Sequence, residues 1–143
     1  MGLTILVVDD DRPTVTIVSS VLKKEGFDVH TAMDGKEGLA KARDLKPALI
    51  VLDLMMPVMN GYEMCQRLKA DPDTRDIGVI MLTARGDTEA DGGKNYQFAG
   101  RVQDKMKGFD SGAVEFLNKP IKAKELTQRV KAVLWAGGFP ITL

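Results

Sequence analysis

The chain reads as an α/β domain, a doubly wound five-stranded parallel sheet with helices on both faces. Two observations predict it. Short unbroken apolar runs alternate with stretches whose apolar residues recur at helical spacing, the pattern of strands buried on both faces and joined by amphipathic crossover helices. Four of the runs also stop at polar groups able to handle phosphate or metal: Asp9-Asp10-Asp11, Asp53, Thr83, and Asn118-Lys119-Pro120. In open sheets of this kind, ligands bind outside the carboxyl ends of the strands, so the four endings converge on one edge.

The elements follow in order. Leu3–Val8 is the first strand. Pro13 suits the first turn of a helix, Val15, Val18, Val21 and Leu22 continue it at helical spacing, and Gly26 closes it. Phe27–Ala32 reads as a short second strand. Asp34 with Glu37 resembles a capping box, and Leu39, Ala42 and Leu45 carry that helix until Pro47 stops it. Ala48–Leu52, the most apolar run, ends at Asp53. The loop 56–61 leads to a helix near Tyr62–Ala70 and a turn at Asp71-Pro72-Asp73. Strands at 78–82 and 114–117 and a helix near 122–136 complete the domain, with right-handed crossovers throughout.

A length of 143 residues fits one domain. Twenty basic side chains cancel twenty acidic ones, so charge does not call for nucleic acid or an anionic membrane as a direct partner. No apolar run is long enough to insert in a membrane, and no basic segment precedes the first strand as it would in a signal peptide. The single Cys65 cannot form an internal disulfide, and a cytoplasmic setting is expected. Cys65 falls in a helix and reads as a buried bystander. His30 lies in the second strand and reads as structural, because a phosphodonor histidine belongs on an exposed helix face.

The site residues carry a specific chemistry. Asp9, Asp10 and Asp53, once brought together, repel one another unless a hard divalent cation offsets them; Mg²⁺ suits such a set, with Mn²⁺ able to substitute. A carboxylate is also a nucleophile toward phosphorus. Phosphoryl transfer asks the protein mainly for positioning and for neutralisation of the transferring oxygens, and Lys119 and the hydroxyl of Thr83 offer a cation and a donor. Any one Asp at a strand end is more often a turn former or a helix cap; the weight comes from the groups arriving together. Asp11 is expected to cap the first helix or to sit solvated. Met55, Met56 and Met59 read as loop packing, since Mg²⁺ does not favour sulfur.

These motifs, Val8-Asp9-Asp10, Asp53 with Met56-Pro57 and Asn60-Gly61, Thr83-Ala84, and Lys119-Pro120, make the chain resemble a response-regulator receiver domain of two-component signalling, chemotaxis-regulator-like, over nearly its whole length. The resemblance implies a flavodoxin-like sheet of order 2-1-3-4-5. It implies Asp53 as phosphoacceptor, with Mg²⁺ bound by Asp10, Asp53 and the Met55 backbone carbonyl directly and by Asp9 through water. Thr83, the Ala84 backbone and Lys119 would hold the phosphoryl oxygens. Thr83 and Phe116 would form the switch, and the Lys119–Pro120 bond would be cis. The donor would be a histidine kinase or a histidine phosphotransfer protein. The downstream protein target is not named by the sequence, and a homodimer stays open. Met55 and Arg85, flanking the path of attacking water, imply slow self-dephosphorylation.

Two segments depart from the family. Thr83 and Lys119 lie farther apart than is usual, the extra residues falling within about 87–103, and Phe98, Val102, Met106 and Phe109 recur at helical spacing; a tolerated surface insertion is one reading and a functional loop the other. The receiver domain is taken as 1–136 and 137–143 as a short tail that either folds back on the helices or docks on a partner, with no output domain after it. Three other functions compete with this one. A haloacid-dehalogenase-type phosphatase or phosphotransferase wants a second Asp two places after its nucleophile, where Met55 stands. A flavodoxin-like FMN carrier wants a phosphate-cradling loop where Asp9-Asp10-Asp11 would repel. An unphosphorylated receiver-like scaffold would be expected to lack a site residue.

Overall fold

The computed structural model describes residues 2–84 and 114–141. Along them run β1 (Thr4–Val8), α1 (Arg12–Lys24), β2 (Asp28–Ala32), α2 (Gly35–Leu45), β3 (Leu49–Asp53), α3 (Gly61–Ala70), β4 (Gly78–Ala84), β5 (Val114–Lys119) and α4 (Ala123–Ala136). All strand pairs are parallel and the order is β2-β1-β3-β4-β5, as the resemblance implied. The insertion expected within 87–103, the helical pattern from Phe98 to Phe109 and Arg85 lie outside the described residues.

The sheet divides two apolar layers by the strict alternation of strand side chains. Leu6, Val8, Ile50, Leu52 and Met81 pack with Leu39, Met64 and Leu68 under α2 and α3. Ile5, Val7, Val51, Leu82 and Leu117 pack with Val18, Leu22, Leu126 and Val130 under α1 and α4. Burial on both sides is why β1 and β3 read as unbroken apolar runs: Leu49 to Leu52 are all 0% exposed. Val79 to Leu82 of β4 are equally sealed, and each large side chain so removed from water contributes roughly 1.5–3 kcal/mol.

Helix ends follow the local sequence. Asp11 caps α1, its carboxylate accepting from the Thr14 amide at 3.1 Å, and Gly26 follows the helix with φ 91°. Asp34 caps α2 by accepting from Glu37 N–H at 2.8 Å, while Glu37 reaches back to Met33 N–H at 3.3 Å, one residue before the cap position. Lys46, with φ 45°, ends α2 in the left-handed conformation just before Pro47, because the residue before proline is excluded from the helical region. Asn60 caps α3 through Glu63 N–H at 2.9 Å.

Several boundaries differ from expectation. β4 runs on to Ala84 rather than ending at Leu82, and β5 runs on to Lys119 rather than Leu117. Thr83 pairs with Asn118 and Ala84 with Lys119 in register; the ladder is made by backbone groups, so polar side chains at the strand ends do not stop it. β2 begins at Asp28, one residue later than read. The tail folds back, with Phe139 and Ile141 packed against the α1–α4 layer. Among the described residues no helix is long and apolar enough to cross a membrane.

Candidate functional site

At the carboxyl edge of the sheet, Asp9 follows β1, Asp53 ends β3, and Lys119 ends β5. Each lies two residues beyond an apolar residue of the α1–α4 layer, namely Val7, Val51 and Leu117, so all three share one face. Lys119 Nζ bridges them, 3.1 Å from Asp9 Oδ2 and 3.2 Å from Asp53 Oδ1. Asp10 is exposed beside them, and ligand atoms of Asp9, Asp10 and Asp53 all lie within 4.8 Å of one another.

The electrostatics of this cluster are strained in the direction a cation relieves. Burial, then the neighbouring Asp9 carboxylate, pushes the Asp53 pKa up to about 6, against the opposing pull of Lys119. Asp9 is also raised, by burial first, although the Asp11 N–H donates to its Oδ1 at 3.0 Å. Burial works against the charge of Lys119, but Asp53 and Asp9 outweigh it and its pKa is raised. Asp9 Oδ2 is fully buried and lacks a well-directed hydrogen bond, its contact with Lys119 being one of charge rather than alignment. A buried carboxylate oxygen whose neighbour is a lysine charge, within a three-carboxylate cluster, fits a hard divalent cation with oxygen ligands, and the donor set is right for Mg²⁺.

The remaining predicted residues sort themselves around this centre. Asp11 is not part of it, being occupied with the α1 cap. The Lys119–Pro120 bond is cis. Met56 is buried in the α2–α3 layer, and Met55 and Met59 pack against it, in agreement with a packing role. Phe116 is half-buried against the same layer. Cys65 is buried, its thiol pushed up to about 11 by burial, so it is not a reactive thiol. His30 sits on edge strand β2, 3.2 Å from Asp28.

Sequence reasoning missed two features. Thr83 does not turn toward the carboxylates: its hydroxyl donates to Asn118 Oδ1 at 2.6 Å, across the β4–β5 pair. The sequence offers no sign of this bond, since its partners are 35 residues apart. Gly61 is the second. A Cβ there would lie 2.4 Å from the Asp53 carbonyl oxygen and 2.9 Å from Leu54 Cα. The start of α3 is thus pressed against the backbone that carries Asp53, and Gly61 N–H donates to Leu54 O at 2.9 Å. The Asn60-Gly61 dipeptide was visible as a motif, but the close approach was not.

Comparison with known proteins agrees with this geometry. Residues 5–131 match the family model of the response regulator receiver domain. The chain is 45% identical over 130 residues to the DNA-binding dual master transcriptional regulator RpaA of Synechocystis sp., covering 91% of this chain and 48% of that protein. It is 41% identical over 134 residues to the DNA-binding response regulator MtrA of Mycobacterium tuberculosis, covering 94% of this chain and 51% of the relative; it therefore spans about half the length of these relatives. Among solved structures it superposes on the chemotaxis response regulator CheY4 of Vibrio cholerae with a TM-score of 0.72 at 29% identity, covering 93% of this chain and 99% of that one. With residues 5–131 matching that family model, five parallel strands and an acidic cluster at their carboxyl edge, the chain belongs to the response regulator receiver family.

Proposed function

We propose that the chain is the phosphoacceptor switch of a two-component phosphorelay, and that Asp53 is the residue phosphorylated. The observation that carries this is the buried Asp53 carboxylate held against Lys119 within a cluster of three acids. The donor is a phosphohistidine on a kinase or phosphotransfer protein. An Asp53 oxygen forms the new P–O bond as the donor's P–N bond breaks, and the electron pair leaves with the donor's imidazole. Lys119 supplies a positive charge next to the transferring oxygens. Asp10 and Asp53 would hold Mg²⁺ directly and Asp9 through water, and the ion would supply neutralisation of the phosphoryl charge. The Met55 carbonyl would complete the ligand set, and the Ala84 N–H and the Thr83 hydroxyl would receive the product's oxygens. Gain of the Thr83 contact moves Thr83 inward and lets Phe116 turn toward the core.

This reading is of a signalling protein rather than an enzyme. The haloacid-dehalogenase alternative finds no support, with Met55 at the position its general acid would need. The relatives are named as DNA-binding, so the earlier expectation of no nucleic-acid partner draws no support for the whole protein. DNA binding controlled by this domain is the output their names favour.

Incubation with Mg²⁺ and acetyl phosphate, followed by intact-mass measurement, tests the assignment. The parent chain should gain one phosphoryl group, EDTA should prevent it, and Asp53→Asn should abolish it. Equal labelling of Asp53→Asn and the parent would refute Asp53 as the acceptor.

A further inference from the structure

Thr83 has one hydroxyl proton to give, and Asn118 holds it. The two residues are register partners on β4 and β5, and the bond between them is short at 2.6 Å. Strand alternation puts Thr83 on the face of Met81, and Asn118 on the face of Phe116. That is the side of the sheet opposite to Val51 and Leu117, whose face Asp53 and Lys119 share. While this bond stands, the Thr83 hydroxyl cannot donate to an oxygen on Asp53.

We propose that Asn118 is a positioning residue that acts through Thr83: in the unphosphorylated chain it holds the Thr83 hydroxyl off the phosphoryl site and so sets the threshold for switching. The inference rests on the reading of Asp53 as phosphoacceptor. The two acceptors compete for one proton. Asn118 offers a neutral amide oxygen, whereas a phosphoryl oxygen is charged and forms a bond roughly twice as strong. Phosphorylation therefore wins, by a margin that the Asn118 bond reduces. Asn118 is exposed, so water can satisfy its amide once Thr83 leaves. The bond is a bias and not a lock.

Removing the acceptor should shift the balance toward the phosphorylated arrangement. A net neutral hydrogen bond corresponds to an affinity gain of about two- to tenfold. The experiment is titration of the full chain with beryllofluoride in saturating Mg²⁺, followed by calorimetry or ¹⁹F NMR. Asn118→Val should bind beryllofluoride about two- to tenfold more tightly than the parent, with unchanged affinity for Mg²⁺ alone. In a Thr83→Val background the same substitution should change nothing, which a merely structural role for Asn118 would not predict. Asn118→Ala removes the acceptor without a branched side chain and repeats the measurement should valine disturb β5. Equal or weaker binding by both Asn118 variants, or the same gain without the Thr83 hydroxyl, would overturn the proposal while leaving Asp53 as acceptor. A parent chain that binds no beryllofluoride would overturn the phosphoacceptor reading and this inference together.

Discussion

Asp53 is a carboxyl group whose ionisation the fold makes costly. Its folded pKa of about 6 stands above the ordinary 3.8, so the native state keeps a proton that the unfolded chain has already released. The stability that this group contributes is therefore present below about pH 4 and is lost as pH rises through about 6. A shift of this size corresponds to at most about 3 kcal/mol. Asp53→Asn, which mimics the protonated form, should make the metal-free protein more stable at pH 7 by about 1–3 kcal/mol, with the gap shrinking toward pH 4. Urea unfolding of both proteins in EDTA at pH 4.5 and pH 7 measures it. A variant no more stable than the parent at pH 7 would mean that Lys119 already compensates the charge in full. That Asp53 stands at the end of a buried strand was legible in sequence because an unbroken apolar run ends at it; the size of its perturbation was not, since that depends on how Asp9 and Lys119 crowd it in space.

Among the elements, α3 is the one fitted most closely to the site. Its first residue, Gly61, leaves no room for a Cβ against the Asp53 and Leu54 backbone, and Met81 Sδ closes the third side at 2.8 Å. Gly61→Ala should destabilise the fold by about 1–3 kcal/mol, as overpacking does, and should weaken Mg²⁺ binding by displacing Asp53. Thermal unfolding with and without Mg²⁺ checks both parts; a stable variant with parental Mg²⁺ affinity would show that α3 can step back freely. Nearby, Val58 is almost wholly exposed and holds φ 69°, a costly conformation for a β-branched residue, so the loop after β3 is built under constraint. Helices and strands were legible from periodicity and caps: Asp11, Asp34 and Gly26 all stand where expected. The ends of β4 and β5 were not, because Thr83, Asn118 and Lys119 look like strand terminators by side chain while their backbones continue the ladder. The distance between a helix start and a strand end, set by Gly61, has no one-dimensional signature at all.

For the molecule as a whole, the alternation of side chains across the sheet puts the acid cluster and the proposed switch residues on opposite faces. Asp9, Asp53 and Lys119 share the α1–α4 face, whereas Thr83, Phe116 and Asn118 share the other. Beryllofluoride with Mg²⁺ should therefore change amide exchange protection in β4 and β5 as well as around Asp10 and Asp53, and Thr83→Ala should remove most of the β5 change. Hydrogen exchange read by mass spectrometry decides this. Changes confined to the loops after β1 and β3 would mean that the domain binds the phosphate mimic without transmitting it. The parallel sheet was legible because apolar runs such as Ile5–Val8 and Leu49–Leu52 alternate with helical patterns, and its order came from the family resemblance carried by the motifs at the strand ends.

β5 is the outermost strand on its side of the sheet, paired only with β4 among the described residues. The carboxylates, by contrast, are anchored by β1 and β3, whose interiors are sealed from water. The buried carboxylates and Asn118 thus lie on different strands. A rearrangement at Phe116 and Asn118 disturbs a border that has one neighbour, not the centre that has two. Substitutions at Asn118 can accordingly alter the contact with Thr83 while leaving the sealed interiors of β1 and β3, which carry the carboxylates, as they are.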